Sequence, residues 1–304
     1  MTTHRFAPST FFNTLGAHTP VLSVDSGDTV ITETLDAHGF DREDVQRGRD
    51  PNPMTGPFFV KGAEPGDALA VKIVRIEMNR ATGWTRQGLA WNVVEPAAVP
   101  QMPVREKIVW NIERNSGRIS LQEPLAALGN WTIPIEPMIG CFGVAPGDGE
   151  AISTATSGRF GGNMDYRGFK PGCEVQFPVS VPGALFFLGD VHGCQGDGEI
   201  SGTGIETSSE VEFSVRVIKG ANIGWPRGET ERDIFCIGNA RPLEQALQHA
   251  TTEMLVWLEE RYGLDRIAAS HLLGMAVRYD IANVFNPAFS VACRIEKPWL
   301  PNPT

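Results

Sequence analysis

The sequence predicts a mainly β protein with a minor α/β part, and three observations carry that reading. Its 304 residues include 33 glycines and 22 prolines, a supply of turn-formers that suits a chain reversing direction often and excludes a helical bundle. Apolar and polar residues alternate with period 2, the signature of a half-buried strand, in ALAVKIVRIEM (68–78) and EVEFSVRVIKG (210–220). Only one long stretch repeats its apolar residues at helical spacing instead.

In chain order, the first strong strand carries Leu69, Val71 and Ile73 on one face. KIVWNI (107–112), EVQFPVSV (174–181) and ALFFLGDV (184–191) follow, then Val211, Phe213, Val215 and Val217, then FSVACRI (289–295). Gly, Pro or Asn borders each of them. Glu64-Pro65-Gly66-Asp67 and Lys170-Pro171-Gly172-Cys173 precede two of these strands, and Pro followed by Gly predicts a type II turn in both. A long helix is predicted over 242–262, with Leu243, Leu247, Ala250, Met254, Leu255 and Leu258 on its inner face and Gly263 as its stop. A short helix follows from Asp265 as N-cap to about Val277, with Ile267, Leu272 and Met275 inward. No low-complexity linker divides the chain. Two tightly packed β-rich subdomains are expected, 1–155 and 156–304, the second with the helices, meeting in the Gly/Ser/Thr-rich stretch 147–162.

Lys plus Arg number 26 against 36 Asp plus Glu, a net charge of -10, which disfavours a broad phosphate-neutralising surface and hence nucleic acid as a partner. A small-molecule substrate is the better expectation. No run of about 18 apolar residues predicts a membrane span, and the N-terminus lacks a basic segment followed by an apolar one. The five cysteines are too few for a disulfide scaffold and odd in number, so a reducing, cytoplasmic location is expected.

The chemistry concentrates in GDVHGCQGDGE (189–199), into which the apolar ALFFL runs directly. On an extended strand Asp190 and His192 project from one face, two residues apart, and a carboxylate with an imidazole suits zinc or a similar divalent ion. Gly193, Gly196 and Gly198 would let the chain turn back and bring Asp197 and Glu199 to the same place, making Glu199 a candidate ligand or general base. Against this, Gly/Asp-rich segments are mostly surface turns and an Asp-x-His pair is more often a plain hydrogen-bonded pair. The residues alone leave both readings open. They do exclude an EF-hand, a Walker loop and a zinc-finger pairing, and Gly202-Thr203-Gly204 lacks the third glycine of a dinucleotide fingerprint.

The extended segment GDVHGCQGDGEISGTGIET (189–207) closely resembles the signature of the acetamidase/formamidase family. VDSGDTV (24–30), TGPFFVKGAEPGDAL (55–69), IGCFGVAP (139–146), GGNMD (161–165) and FPVSVPGALFFLGD (177–190) follow that family's order. The resemblance implies jelly-roll and β-barrel-like subdomains with added helix, and metal-dependent hydrolysis of short aliphatic amides. Residue by residue, it implies that Asp190 and His192 are the signature's acid and imidazole, Asp165 the acid ending the Gly-Gly-Asn element, and Glu199 the terminal glutamate. Val191 stands where that family usually has a smaller residue and Gly193-Cys194 replaces what is commonly an alanine pair, which bears on substrate choice.

On this reading Asp165, Asp190 and His192 hold a divalent ion, zinc by expectation with calcium or another ion as alternatives, which polarises the amide and lowers the pKa of bound water toward about 7. Glu199 shuttles the proton, with Asp197 able to exchange roles, and Gln195 or the backbone amides of Gly196 and Gly198 orient the carbonyl. Cys194 is expected either to be packed or to line the substrate pocket; a thiol nucleophile needs a base and an organising partner that no motif supplies. His4, His18, His38, His249 and His271 are given no role, and Glu64 and Asp67 are read as turn chemistry. A homo-oligomer is expected. The rival function is a non-catalytic β-rich module that binds a small ligand and uses the metal as a structural brace.

Overall fold

The computed structural model describes residues 1–303. Its strands form four sheets, of nine, six, four and two strands. Ala68–Met78 and Ser209–Ile218 are the long strands that the alternating segments predict, and Phe289–Glu296 forms where FSVACRI was read as a strand. Both predicted turns form: Gly66 and Gly172 take φ of 92° and 94°, and Asp67 N donates to Glu64 O as Cys173 N donates to Lys170 O, each at 3.0 Å. A positive φ at the third position is what a type II turn asks of glycine. The strands that these turns open pair with each other, Glu174–Pro178 antiparallel to Ala68–Met78 in the nine-stranded sheet.

Two predicted strands are trimmed. Glu174–Pro178 ends before Val179. Phe186–His192 begins two residues late, because Ala184 and Leu185 take φ of 57° and cannot be pleated. The six-stranded sheet runs Ser157–Gly158, Gly161–Asn163, Met138–Val144, Phe186–His192, Thr55–Val60, Leu22–Val24. Phe186–His192 therefore lies inside it, covered on both sides.

The nine- and six-stranded sheets face each other across a phenylalanine-rich core. Phe58 meets Phe213 at 5.4 Å, Phe186 meets Phe213 at 5.2 Å, and Phe142 meets Phe177 at 5.2 Å. Burying each such ring contributes about 1.5–3 kcal/mol. Each large sheet takes strands from both sides of residue 155, and the largest core cluster joins Val30, Phe58 and Ile73 to Phe177, Phe186 and Phe235.

Helix α1 (Leu243–Tyr262) and helix α2 (Arg266–Ala276) form where predicted. Asp265 caps α2 by accepting from Ala268 N at 2.8 Å. The inner face of α1 is largely the expected one, with Ala250, Met254 and Leu258 buried and Leu243 and Leu255 half-buried, whereas in α2 Ile267 is 71% exposed and Met275 88% while Ala269 and Leu273 are buried. In α1 the exception is Leu247, 38% exposed, beside the buried Ala246. The cause is Gly238 on the strand Asp233–Ala240, where an added Cβ would stand 1.9 Å from Ala246 O. The helix backbone comes down onto that strand at Ala246, so small residues, not the leucines, set the contact. No helix among the described residues is long and apolar enough to cross a membrane.

Candidate active site

Five ionisable side chains converge at one end of Phe186–His192: Asp165, Asp190, His192, Glu199 and Glu206, all buried. Asp165, His192 and Glu199 have ligand atoms within 4.8 Å of one another, and so do Asp190, His192 and Glu206. His192 belongs to both groups. Four carboxylates gathered out of water repel one another, so each is kept there by its backbone and by the donors around it.

Backbone geometry does part of this. Asp165, Asp190 and Glu199 take left-handed φ of 47°, 53° and 46°, each at a cost of order 1–3 kcal/mol. Three such residues in one site mean that the surrounding packing imposes their aim. Asp190 therefore does not follow the extended path first expected of it. It reaches His192 nonetheless, with Oδ1 3.4 Å from Nε2. Opposite, Gly140 leaves room for the acids: a Cβ there would stand 2.6 Å from Asp165 Oδ1 and 2.9 Å from Asp190 Oδ2. Gly204 makes room for the imidazole in the same way, its added Cβ falling 2.4 Å from the His192 ring.

Asparagines donate to the acids. Asn283 Nδ2 donates to Glu199 Oε2 at 2.6 Å and to Asp165 Oδ2 at 3.1 Å. Asn286 Nδ2 donates to Asp165 Oδ2 at 2.7 Å, and Asn52 Nδ2 to Asp190 Oδ2 at 3.1 Å. Gln195 Nε2 donates to the backbone oxygen of Asp165 at 2.6 Å. A carbonyl only accepts, so the amide's Oε1 is the atom 2.7 Å from His192 Nδ1, and Nδ1 carries the proton. Nε2 is thereby turned toward the carboxylates.

Three atoms in this cluster stay unmatched: Asp165 Oδ1, His192 Nε2 and Glu206 Oε2 are buried without a hydrogen bond. Glu206 Oε1 stands 3.2 Å from Nε2, yet neither it nor Asp190 meets hydrogen-bond geometry there. Buried polar atoms are nearly always satisfied; oxygens and an imidazole nitrogen orphaned around one point fit a divalent cation. Burial pushes Glu199 and Glu206 up to about 8, and burial with the neighbouring Glu199 and Asp190 raises Asp165 well above the usual carboxylate range. Burial works against a charged His192, but Glu206 and Asp190 outweigh it and raise the imidazole well above its ordinary value. A cavity of about 380 Å³ opens onto Asp190, Glu199 and Glu206, with Trp84, His38 and Phe285 among its walls.

Of the site residues expected from sequence, Asp165, Asp190, His192 and Glu199 meet here. The others do not line the cavity. Asp197 is turned out by Gly198, whose φ is 81°; its side chain is 57% exposed and lies 3.6 Å from Arg167. Gly196 is exposed beside it. Gly198 is buried against Ile200 and Val284. Cys194 packs on the cluster of Met78, Trp110 and Ile119, with its thiol raised by burial. Gln195 spends both ends of its amide on His192 and Asp165, so it is a positioning residue without a group free for a carbonyl.

Sequence reasoning missed Glu206, Asn52, Asn283, Asn286 and the wall residue His38. Glu206 had a signal, as an acid between Ile205 and Thr207 at the end of the same glycine-rich segment. Asn283 ends the strand Arg278–Asn283 and Asn286 follows it in an Asn-x-x-Asn turn, and neither had a signal specific to this site.

The model of the acetamidase/formamidase family matches residues 16–149 and 147–250. The acetamidase of Mycolicibacterium smegmatis is 27% identical over 240 residues, 62% of this chain and 59% of that protein. The structure of an acetamidase from Yersinia enterocolitica is 30% identical with a TM-score of 0.86, covering 99% of this chain and 93% of that one. A predicted acetamidase/formamidase from Thermoanaerobacter tengcongensis is 31% identical with a TM-score of 0.85, covering 97% and 96%. The matched region spans only 51% to 61% of the curated relatives' length. Fold and family model agree over most of the sequence, and the chain belongs to the acetamidase/formamidase family.

Proposed function

We propose that the protein hydrolyses the C–N bond of short aliphatic amides to a carboxylate and ammonia, with a divalent cation held by Asp165, Asp190, His192 and Glu206. The observation that carries this reading is the set of three orphaned buried atoms, Asp165 Oδ1, His192 Nε2 and Glu206 Oε2, beneath an open cavity. One imidazole among carboxylates favours zinc or a similar transition ion over calcium, which takes oxygen ligands. The cation supplies Lewis acidity, drawing charge from the amide oxygen.

The chain's own groups carry the proton traffic. Asn283 occupies Glu199 Oε2, leaving Oε1 free to take a proton from the attacking water. Water oxygen bonds to the carbonyl carbon, the C–N bond breaks, and Glu199 returns the proton to the departing nitrogen. Trp84 and Phe285 supply apolar walls to the cavity. A merely structural metal would be closed off by its ligands, whereas this cluster faces a cavity with room for substrate.

The test is ammonia release from purified protein with formamide, acetamide, propionamide and butyramide, before and after chelation. Release that chelation abolishes is expected. No release with any amide in a metal-loaded sample would remove the proposal.

A further inference from the structure

The same cavity holds positive charge that the reaction above does not use. Arg86 and Arg105 line it together with Asp190, Glu199 and Glu206. Neither guanidinium forms an ion pair with any carboxylate among the described residues, although the chain carries ten more acids than bases. Arg105 Nη2 donates to Ser201 O at 2.5 Å and Nη1 to Gly88 O at 3.4 Å; its plane lies over Phe285 at 5.3 Å. Arg86 Nη2 lies 3.4 Å from His38 Nε2, with the guanidinium over Trp84 at 5.6 Å. Each arginine is thus seated on an aromatic face and keeps N–H donors unspent.

Like charges also crowd this side of the cavity. Arg86 is the direct cross-strand partner of Lys107, and like charges opposed in a ladder are destabilising. Lys107 Nζ lies over Trp84 and Phe40, at 5.2 and 5.8 Å, and forms no ion pair either. Burial and the Arg86 charge both bear down on Arg105, while Glu199 partly offsets them. Asp50 also lines the cavity but pairs with neither arginine.

Size points the same way. At about 30 Å³ per water-sized group, acetamide needs on the order of 100 Å³, well short of the 380 Å³ present. Arg86 and Arg105 are among the residues that line this space.

We infer that the preferred substrate is a primary amide whose acyl chain ends in a carboxylate, of the succinamate type, with Arg86 and Arg105 binding that carboxylate while the amide end faces the acid–imidazole cluster. Guanidinium groups bind carboxylates with paired, charge-assisted hydrogen bonds. The reaction is the one already described: water adds, the C–N bond breaks, and a dicarboxylate and ammonia result. The inference rests on that hydrolysis and names its substrate class.

The experiment compares kcat/KM for succinamate, neutral butyramide and cationic 4-aminobutyramide in the metal-loaded protein. Succinamate should exceed butyramide by roughly 10-fold or more, mainly through KM, and the ratio should shrink as salt rises. Arg105→Glu should invert the order in favour of 4-aminobutyramide, and Arg105→Lys should retain part of the original preference; a structural role alone would not reverse selectivity with charge. Thermal melts check that each variant folds, and Arg86→Gln is the second probe. Butyramide turned over as well as succinamate would overturn the inference and leave the hydrolysis standing. If no amide is turned over, the hydrolysis fails, and calorimetry with succinate decides the rest: binding lost in Arg105→Glu keeps the carboxylate subsite, and no binding to the wild-type protein removes it.

Discussion

Gln195 shows how a residue that never meets the substrate can govern the site. By accepting from Nδ1 it fixes the His192 tautomer and points Nε2 at the carboxylates, the role that outer hydrogen bonds play around metal-binding imidazoles. Gln195→Ala should weaken metal affinity by roughly 10- to 100-fold, read by competition with a chromogenic chelator; unchanged affinity would mean that packing alone orients the ring. Glu199→Gln keeps size and the Asn283 contact but removes the base. Turnover should fall by roughly 100- to 10,000-fold with metal content unchanged, and loss of the metal instead would reassign Glu199 as a ligand. Cys194→Ser should keep most activity, since its thiol packs away from the cavity; acyl transfer to Cys194 seen by mass spectrometry would contradict this. Asp190 and His192 were legible in the sequence because an apolar strand ran straight into them. Asp197 was misread because the left-handed turn at Gly198 sends it to the opposite side from Glu199. Glu206 meets His192 across an isolated bridge, and Asn283 arrives from a strand about ninety residues away, pairings that no local period encodes.

Among the elements, strand faces were legible, while helix faces were legible in α1 apart from Leu247 and missed in α2. Period-2 alternation identifies which side of Ala68–Met78 or Ser209–Ile218 is buried, because the pleat leaves only two choices. A helix offers a continuum of rotations, and for α1 the choice is made by the close approach of Gly238 to Ala246. Leucine spacing could not reveal that. Gly238→Ala should therefore push the helix off its strand and destabilise the fold by about 1–3 kcal/mol, a drop of several degrees in Tm. Metal content per folded molecule should hold, as the contact lies in the helix-packing cluster away from the acids. A melt equal to wild type would show that α1 adjusts without cost.

The whole molecule bears the cost of holding these acids together. With the metal removed, Glu199 and Glu206, raised to about 8, and the raised Asp165 all favour their protonated forms in the fold. Groups with raised folded pKa contribute stability below their unfolded values and lose it as pH climbs through the folded ones; the raised His192 acts in the same direction. The metal-free protein should therefore lose Tm steadily from about pH 5 to about pH 8, while the metal-loaded protein loses much less. Parallel curves would mean that the cluster is not where the ion binds. The fold that imposes this cost was only partly visible beforehand. Its β-rich class followed from turns and alternation, but the weaving of both halves into each large sheet depends on long-range pairing. The central claim, that a cation in this cluster drives amide hydrolysis, is tested most directly by titrating zinc into the chelated protein while following both bound metal and ammonia release. Activity should rise in proportion to bound ion and saturate when the site fills, with His192→Ala neither binding nor responding; full turnover in protein stripped of metal would contradict the account.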